Sequence, residues 1–365
     1  MKNIFIISFI IMAFHTASFS QGCVAIRGNG GVCSMQHMED SSKHNKWQLI
    51  TNYRYFKSFR HFVGKEEQLQ RLAEKTEVIN WQHTINYTLL KKINSRWSAG
   101  IDIPVLINAR SSKYEHYGNT STNVNARQST HSFGIGDVRV SGYYWLIDSG
   151  HAKKGNVRVG MGIKLPTGDF RTQDLFRKND TTFILGPIDQ SIQLGDGGLG
   201  VSIEANGFYN FNKHFSVFGN FYYLINPREH NGISTARGGT VTTQSMLIGS
   251  NVMSVPDQYL FRGGLNYIYK HLTVSGSIRM ECIPVHDLIG GSNGFRRPGY
   301  VISVEPGVNY EFKKFTFFAT VPVAMERNRT QSVPDKKRSV LTGVYSKGDA
   351  AFADYSINMG LILPF

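Results

Sequence analysis

Large apolar side chains fall on every second residue through much of this chain. The last segment shows it best: Tyr355, Ile357, Met359, Leu361, Leu363 and Phe365 occupy alternate positions up to the final residue. A period of two is the signature of a β-strand whose two faces meet different surroundings. The same alternation predicts twelve strands, near 46–57, 79–91, 96–109, 132–146, 155–166, 199–211, 214–226, 257–269, 271–286, 299–311, 314–328 and 350–365. Pro104, Pro306, Pro322 and Pro364 fall inside these segments and require bulges or strand ends, because proline gives the ladder no N–H.

The connections are sorted by length. Links leaving odd-numbered strands are long: 58–78, 110–131, 167–198, 227–256, 287–298 and 329–349. Links leaving even-numbered strands are short polar turns, 147–154 being the longest. A soluble sandwich has no reason to sort its loops in this way. A bacterial outer-membrane barrel does, with short turns inside, long loops outside and an even strand count. The fold expected is therefore all-β: a single antiparallel transmembrane β-barrel of about 12 strands over 46–365, with long external loops and short periplasmic turns.

Aromatic residues sharpen this reading. Trp47, Tyr87, Trp97, Phe211, Phe215, Tyr267, Tyr269, Tyr310, Phe315 and Phe365 lie on the apolar parity near the short turns and predict one interfacial girdle. Tyr55, Tyr223, Tyr259 and Tyr300 fit the outer one. Composition agrees: 37 Gly, 24 Phe and 17 Tyr exclude both a disordered chain and a helical bundle. Beyond residue 20 no apolar run reaches the roughly 18 residues that a spanning helix needs.

The opposite parity carries charge. Arg54, Asp102, Asp137, Arg139, Arg158, Lys164, Glu204, Arg262, Arg279, Glu281 and Glu305 are the candidate lumen-lining residues, with Glu326 and Asp354 on the same face. Facing lipid at the midplane, a Lys or Arg would cost about 2–4 kcal/mol. They therefore face a wet or densely paired interior. Six bases against seven acids either pair across the lumen and fill it or line a narrow aqueous passage. The net charge of +14 then resides mostly on the long loops, Arg110, Arg237, Arg296, Arg297 and Arg329 among them. It meets either anionic lipid headgroups or an anionic solute. In loop 58–78, Leu69, Leu72 and Ala73 have helical spacing, which predicts a short helix, either a lid or a solvated loop element.

The beginning of the chain reads as an export signal. Lys2, the apolar run 4–14 and the small residues Ser18 and Ser20 form a signal peptide over 1–20, cleaved before Gln21. Residues 21–45 form a periplasmic segment, either folded into the lumen or hanging below it, and Cys23 and Cys33 are the candidate disulfide of that segment. Cys282 is left over, and three cysteines exclude a disulfide scaffold. Location in the outer membrane of a Gram-negative bacterium follows. The expected partners are outer-membrane lipid, a small-molecule solute and, through the terminal Phe365, the barrel-assembly machinery.

No cofactor, metal site or nucleic-acid surface is expected. The glycines at 28, 30 and 31 lack a strand–turn–helix setting, and the twelve His show no ligand spacing. His286 with Ser292 and Asn293 invites comparison with outer-membrane phospholipases. The gap of six residues, crossing a loop, does not promise the hydrogen bond that a nucleophile and its base need.

A family resemblance lies in the middle of the chain. Gly134, Gly136 and Asp137 open a G-x-G-D motif, followed by Tyr143 and Tyr144, by Lys164 to Asp169 (KLPTGD) and by Gly195 to Gly198 (GDGG). This order resembles the outer-membrane transporter-like family named for the meta pathway of phenol degradation, over residues 130–365. The Ser and Trp of the family's glycine-rich stretch are absent here. The resemblance implies a barrel admitting small solutes, without assigning phenol as the substrate. Asp137 and Lys164 are expected to face inward and pair, and Gly168 to permit the turn after the fifth strand. The function expected is passive passage of a small solute through a charge-lined narrow lumen gated by loops 167–198 and 227–256. A docking barrel of an envelope assembly and an outer-leaflet lipid hydrolase are the alternatives.

Overall fold

The computed structural model describes residues 46–148, 151–152 and 154–365. The signal peptide, the segment 21–45 and the Cys23–Cys33 pair lie outside the described residues.

Twelve antiparallel strands form one closed sheet. They are β1 (Trp47–Val63), β2 (Ile79–Lys92), β3 (Trp97–Ser112), β4 in two halves (Gln128–Ile135 and Arg139–Trp145), β5 (Gly155–Lys164) and β6 (Gly200–Asn210). Next come β7 (Phe215–Ile225), β8 (Gln258–Tyr269), β9 (Leu272–Ile283), β10 (Gly299–Glu311), β11 in two halves (Thr316–Thr320 and Val323–Arg329) and β12 (Ala350–Pro364). Each strand pairs with the next, and β1 pairs with β12 from Gln48 opposite Pro364 to Phe62 opposite Ala350, which closes the ring. Among the described residues, each strand of this ring has a neighbour on both sides.

The pleat sorts the side chains. On β5, Asn156, Arg158 and Lys164 are buried inside, while Val157, Val159, Met161 and Ile163 are exposed outside, Met161 by 64%. Tight turns close one end. Asn94 Oδ1 accepts from the N–H groups of Arg96 and Trp97, and Asn212 Oδ1 does the same for His214 and Phe215. Such side-chain turns suit Asn because its amide mimics a backbone acceptor.

Two features depart from the expected pattern. The first strand runs to Val63, beyond 57, because pairing with β12 continues from Ser58 to Phe62 and Val63 pairs with Glu66. The expected strand 132–146 is broken at 136–138, and the strand 314–328 at 321–322. Each break lies opposite a proline on the preceding strand. Pro104 accepts at its carbonyl from Gly136 N–H (2.8 Å), and Pro306 from Val321 N–H (3.0 Å). In an antiparallel ladder a residue's N–H and C=O point to the same neighbour, so the donor missing from each proline interrupts its partner there.

The long loops carry further structure. Leu69–Ala73 forms α1, a one-turn helix with Leu69 62% exposed, so it is a solvated loop element, tied down by Arg71 to Asp349 at 2.7 Å. Loop 165–199 holds a hairpin of Gln173–Arg177 with Phe183–Pro187 and a 3-10 turn, Gln190–Ile192. Helix α2 (Thr243–Ile248) lies in loop 226–257. Helix α3 (Val333–Thr342) lies in loop 330–349 and starts on a capping box of Ser332 and Asp335.

Candidate functional site: a divided lumen

The G-x-G-D, KLPTGD and GDGG stretches meet at the break in β4. Asp137 Oδ1 accepts from Gly168 N–H (3.0 Å) and Oδ2 from Asp196 N–H (3.1 Å), so one carboxylate holds both ends of loop 165–199. Lys164 Nζ lies 3.5 Å from Asp137 Oδ2 and pairs with Asp196 as well. Thr167 Oγ1 accepts from Val138 N–H (2.8 Å) and donates to the Gly136 carbonyl (3.0 Å). Gly168 is needed for a different reason from the turn expected: its φ is not positive, but a Cβ there would run into Leu194 O and Gly195 N. Gly195 is equally tight, against Gly168 O and Asp137 Oδ1.

This clamp sends the loop inward. Ile188 and Ile192 are fully buried, and the loop's backbone is read by the wall. The Ser191 carbonyl accepts from Gln82 Nε2 (2.9 Å), and the Ile192 carbonyl from Asn108 Nδ2 (3.3 Å) and Ser132 Oγ (2.5 Å).

The loop carries Asp189 into a cluster of arginines. Arg237 Nη2 and Arg297 Nη2 each lie 2.7 Å from Asp189 Oδ2, and Arg110 Nη2 lies 3.5 Å from it. Glu115 adds a second carboxylate, 3.0 Å from Arg110 Nε and 3.2 Å from Arg237 Nε. Burial acts to raise the Asp189 carboxyl, but Arg110, Arg297 and Arg237 outweigh it and hold it well below the usual carboxylate range. Glu115 is likewise buried, and Arg110 and Arg237 hold it below its ordinary value. Arg110 and Arg329, both expected on loops, sit on β3 and at the end of β11, and with the loop residues Arg237, Arg296 and Arg297 they line the mouth rather than facing lipid headgroups. The reason is pairing: Arg296 bonds Asp287 in bidentate fashion at 2.7 and 2.6 Å, as Arg297 bonds Asp189.

Below the loop the wall charges form two networks. In one, Arg139 bonds Asp102 at 2.9 Å and Glu204, over the ring of Tyr222. In the other, Glu305 pairs with Arg262 (3.1 Å) and Arg279 (3.7 Å), while Glu281 pairs with Arg279 (2.9 Å) and Arg54 (3.1 Å). Strands β10, β11 and β12 separate β9 from β1 around the wall, so the Arg54–Glu281 pair crosses the lumen. Arg158 lies over the Tyr143 and Trp145 rings instead, at 4.6 and 5.7 Å. Of the eleven sequence-derived candidates, nine are buried, and Asp137 and Glu281 are partly so.

Among the described residues, two cavities lie against this loop. An outer vestibule of about 330 Å³ opens above the loop, and an inner chamber of about 120 Å³ lies beneath it. Ser191, Arg296 and Arg297 line both and form the septum between them. Asp102, Arg139 and Lys164 line the inner chamber. Sequence reasoning missed Asp189, Glu115 and the septum, because nothing local marks one loop acid among several. The signal present was the apolar Ile188, Ile192 and Leu194 inside a long external loop.

His286 and Ser292 do not form a nucleophile–base pair. Ser292 Oγ accepts from Asp287 N–H (2.9 Å), and His286 Nε2 faces Lys336 Nζ at 3.5 Å.

No family model and no curated protein matches this chain. Among solved structures, the COG4313 outer membrane channel from Pseudomonas putida F1 aligns over 88% of this chain and 96% of its own, at 9% identity and a TM-score of 0.57. The likeness shows the fold, a closed antiparallel β-barrel. Weaker likenesses include the translocator domain of the autotransporter NalP from Neisseria meningitidis (12% identity, 91% and 94% coverage, TM-score 0.44). The toluene transporter TbuX from Ralstonia pickettii is another (10% identity, 92% and 94% coverage, TM-score 0.42). At these identities the likeness concerns the barrel and not its cargo.

Proposed function

We propose that this outer-membrane barrel is a channel for a small solute, which passes by diffusion through a narrow charge-lined lumen. The observation that carries this reading is the pair of chambers in series, parted by the septum of Ser191, Arg296 and Arg297. Loop 165–199 is the gate, with Asp137 and Lys164 as its hinge and the Asp189–Arg297 pair as its latch. Arg54, Asp102, Arg139, Glu204, Arg262, Arg279, Glu281 and Glu305 line or cross the path below it, with Arg158 beside them on the wall. We place the protein in the outer membrane of a Gram-negative bacterium after removal of residues 1–20, inserted by the barrel-assembly machinery through Phe365. We also place it as a distant relative of the transporter-like family named for the meta pathway. Conductance in planar bilayers, with solute uptake into liposomes, tests this. Discrete current steps or uptake are expected; neither appearing, from protein folded in detergent, removes the channel reading and leaves the docking one.

A further inference from the structure

The vestibule is lined overwhelmingly by cation. Arg110, Arg237, Arg296, Arg297, Arg329 and Arg338 face it together with Arg71, whereas its lining acids are Asp335 and Asp349. Both acids are already engaged, Asp335 with Arg329 at 3.0 Å and Asp349 with Arg71 at 2.7 Å. The other three carboxylates of the cluster, Glu115, Asp189 and Asp287, have side chains 1% exposed or less and lie behind the guanidiniums. Seven arginines against five acids leave two positive charges, and Arg237 and Arg297 are more open than the Asp189 carboxylate that they share, at 14% against 0%.

The guanidiniums are fixed in place. Arg237 and Arg297 lie over the Phe295 ring at 5.4 and 4.8 Å, and the Tyr114 hydroxyl accepts from both Arg110 (3.0 Å) and Arg237 (2.7 Å). Planar, pre-oriented guanidinium forks match a carboxylate's two oxygens. One fork is unused: among the described residues Arg338 makes no ion pair, and its buried Nε has no hydrogen-bond partner. The cavity, about 330 Å³, lies at the small end of ligand pockets, which run from about 300 to 1,000 Å³.

We propose that this vestibule is a binding site for a small organic carboxylate, held by Arg338 together with Arg237 and Arg297. The proposal rests on the channel reading only in taking the vestibule as the entrance. Confinement inside the mouth favours a dissolved carboxylate over a lipid headgroup, although both offer oxyanions.

The test is calorimetric titration of the detergent-purified full-length chain with citrate, which needs no current and so is independent of the channel test. Saturable binding that weakens with added salt is expected, and it should weaken about tenfold or more in R338Q. Arg338 lies on a surface helix outside the wall, so this variant keeps the barrel, as retained heat-modifiable migration on a gel checks. K213Q, on a short turn at the other end, should bind as the parent does. No citrate binding, or binding unchanged in R338Q, overturns the proposal. So does an Arg338-dependent heat obtained with lipid A micelles and not with citrate, which would make the ligand a headgroup. Conductance without citrate binding would leave the channel reading standing and this one refuted.

Discussion

Replacing Asp137 with alanine removes a carboxylate that holds both ends of the loop proposed as the gate. Two backbone donors lose their acceptor, Gly168 N–H at 3.0 Å and Asp196 N–H at 3.1 Å. Hydrogen bonds to a charged group contribute about 1.5–3 kcal/mol each, so about 3–6 kcal/mol of hinge stabilisation is at stake. Lys164 keeps Asp196 as a partner, so the substitution does not strand a buried cation. The loop also retains its wall contacts through Ser191 and Ile192, so it loosens rather than leaves. Taking the low end, about 3 kcal/mol moves the equilibrium between docked and displaced loop by roughly two orders of magnitude. Single-channel recording of D137A should therefore show a higher open probability, and limited proteolysis should cut between 168 and 196 in the variant and spare the parent. D137N, which keeps an acceptor but loses the charge, should fall between the two. If D137A folds as a barrel and matches the parent in both conductance and protease resistance, the hinge reasoning is wrong.

Three further outcomes follow from the same geometry. G195A puts a Cβ against Gly168 O and Asp137 Oδ1, and should reproduce the protease sensitivity of D137A without removing any charge. Because the arginines depress the Asp189 and Glu115 carboxyls, their stabilising contribution is complete above the ordinary carboxylate pKa of about 4 and is lost as pH falls below it through the folded values. Loop proteolysis should accordingly be flat from pH 7 to about pH 5 and rise only in stronger acid; a rise between pH 5 and 7 would contradict the assignment of the latch. E281Q leaves Arg54 and Arg279 without their shared carboxylate, and breaking a buried pair costs about 3–5 kcal/mol. The temperature at which the folded band is lost on a gel should drop clearly, and by less when Arg54 and Glu281 are both replaced by methionine.

The alternation that ends in Phe365 was enough to specify strands, their parity and a closed ring, because each residue's preference for lipid or interior is its own property and repeats with the pleat. Loop lengths told the long-loop end of the barrel from the short-turn end for the same local reason. Even the breaks in β4 and β11 were half legible, in Pro104, Pro306 and Pro322; only the register revealed that each break answers a missing N–H on the neighbouring strand. The motif around Asp137, Lys164 and Gly195 could be read as letters but not as a clamp, since its parts meet only after residues 138–195 fold back on themselves. Nor does any period announce that Arg297 finds Asp189 from 108 residues away, or that Arg54 reaches Glu281 across the lumen from 227. A charge carries no information about its partner until the chain closes, and the long loops have no pleat to declare their inner side. The chain's own pattern determined a charged interior wrapped in an apolar wall; the tertiary fold decided that the loops turn inward and divide that interior into chambers.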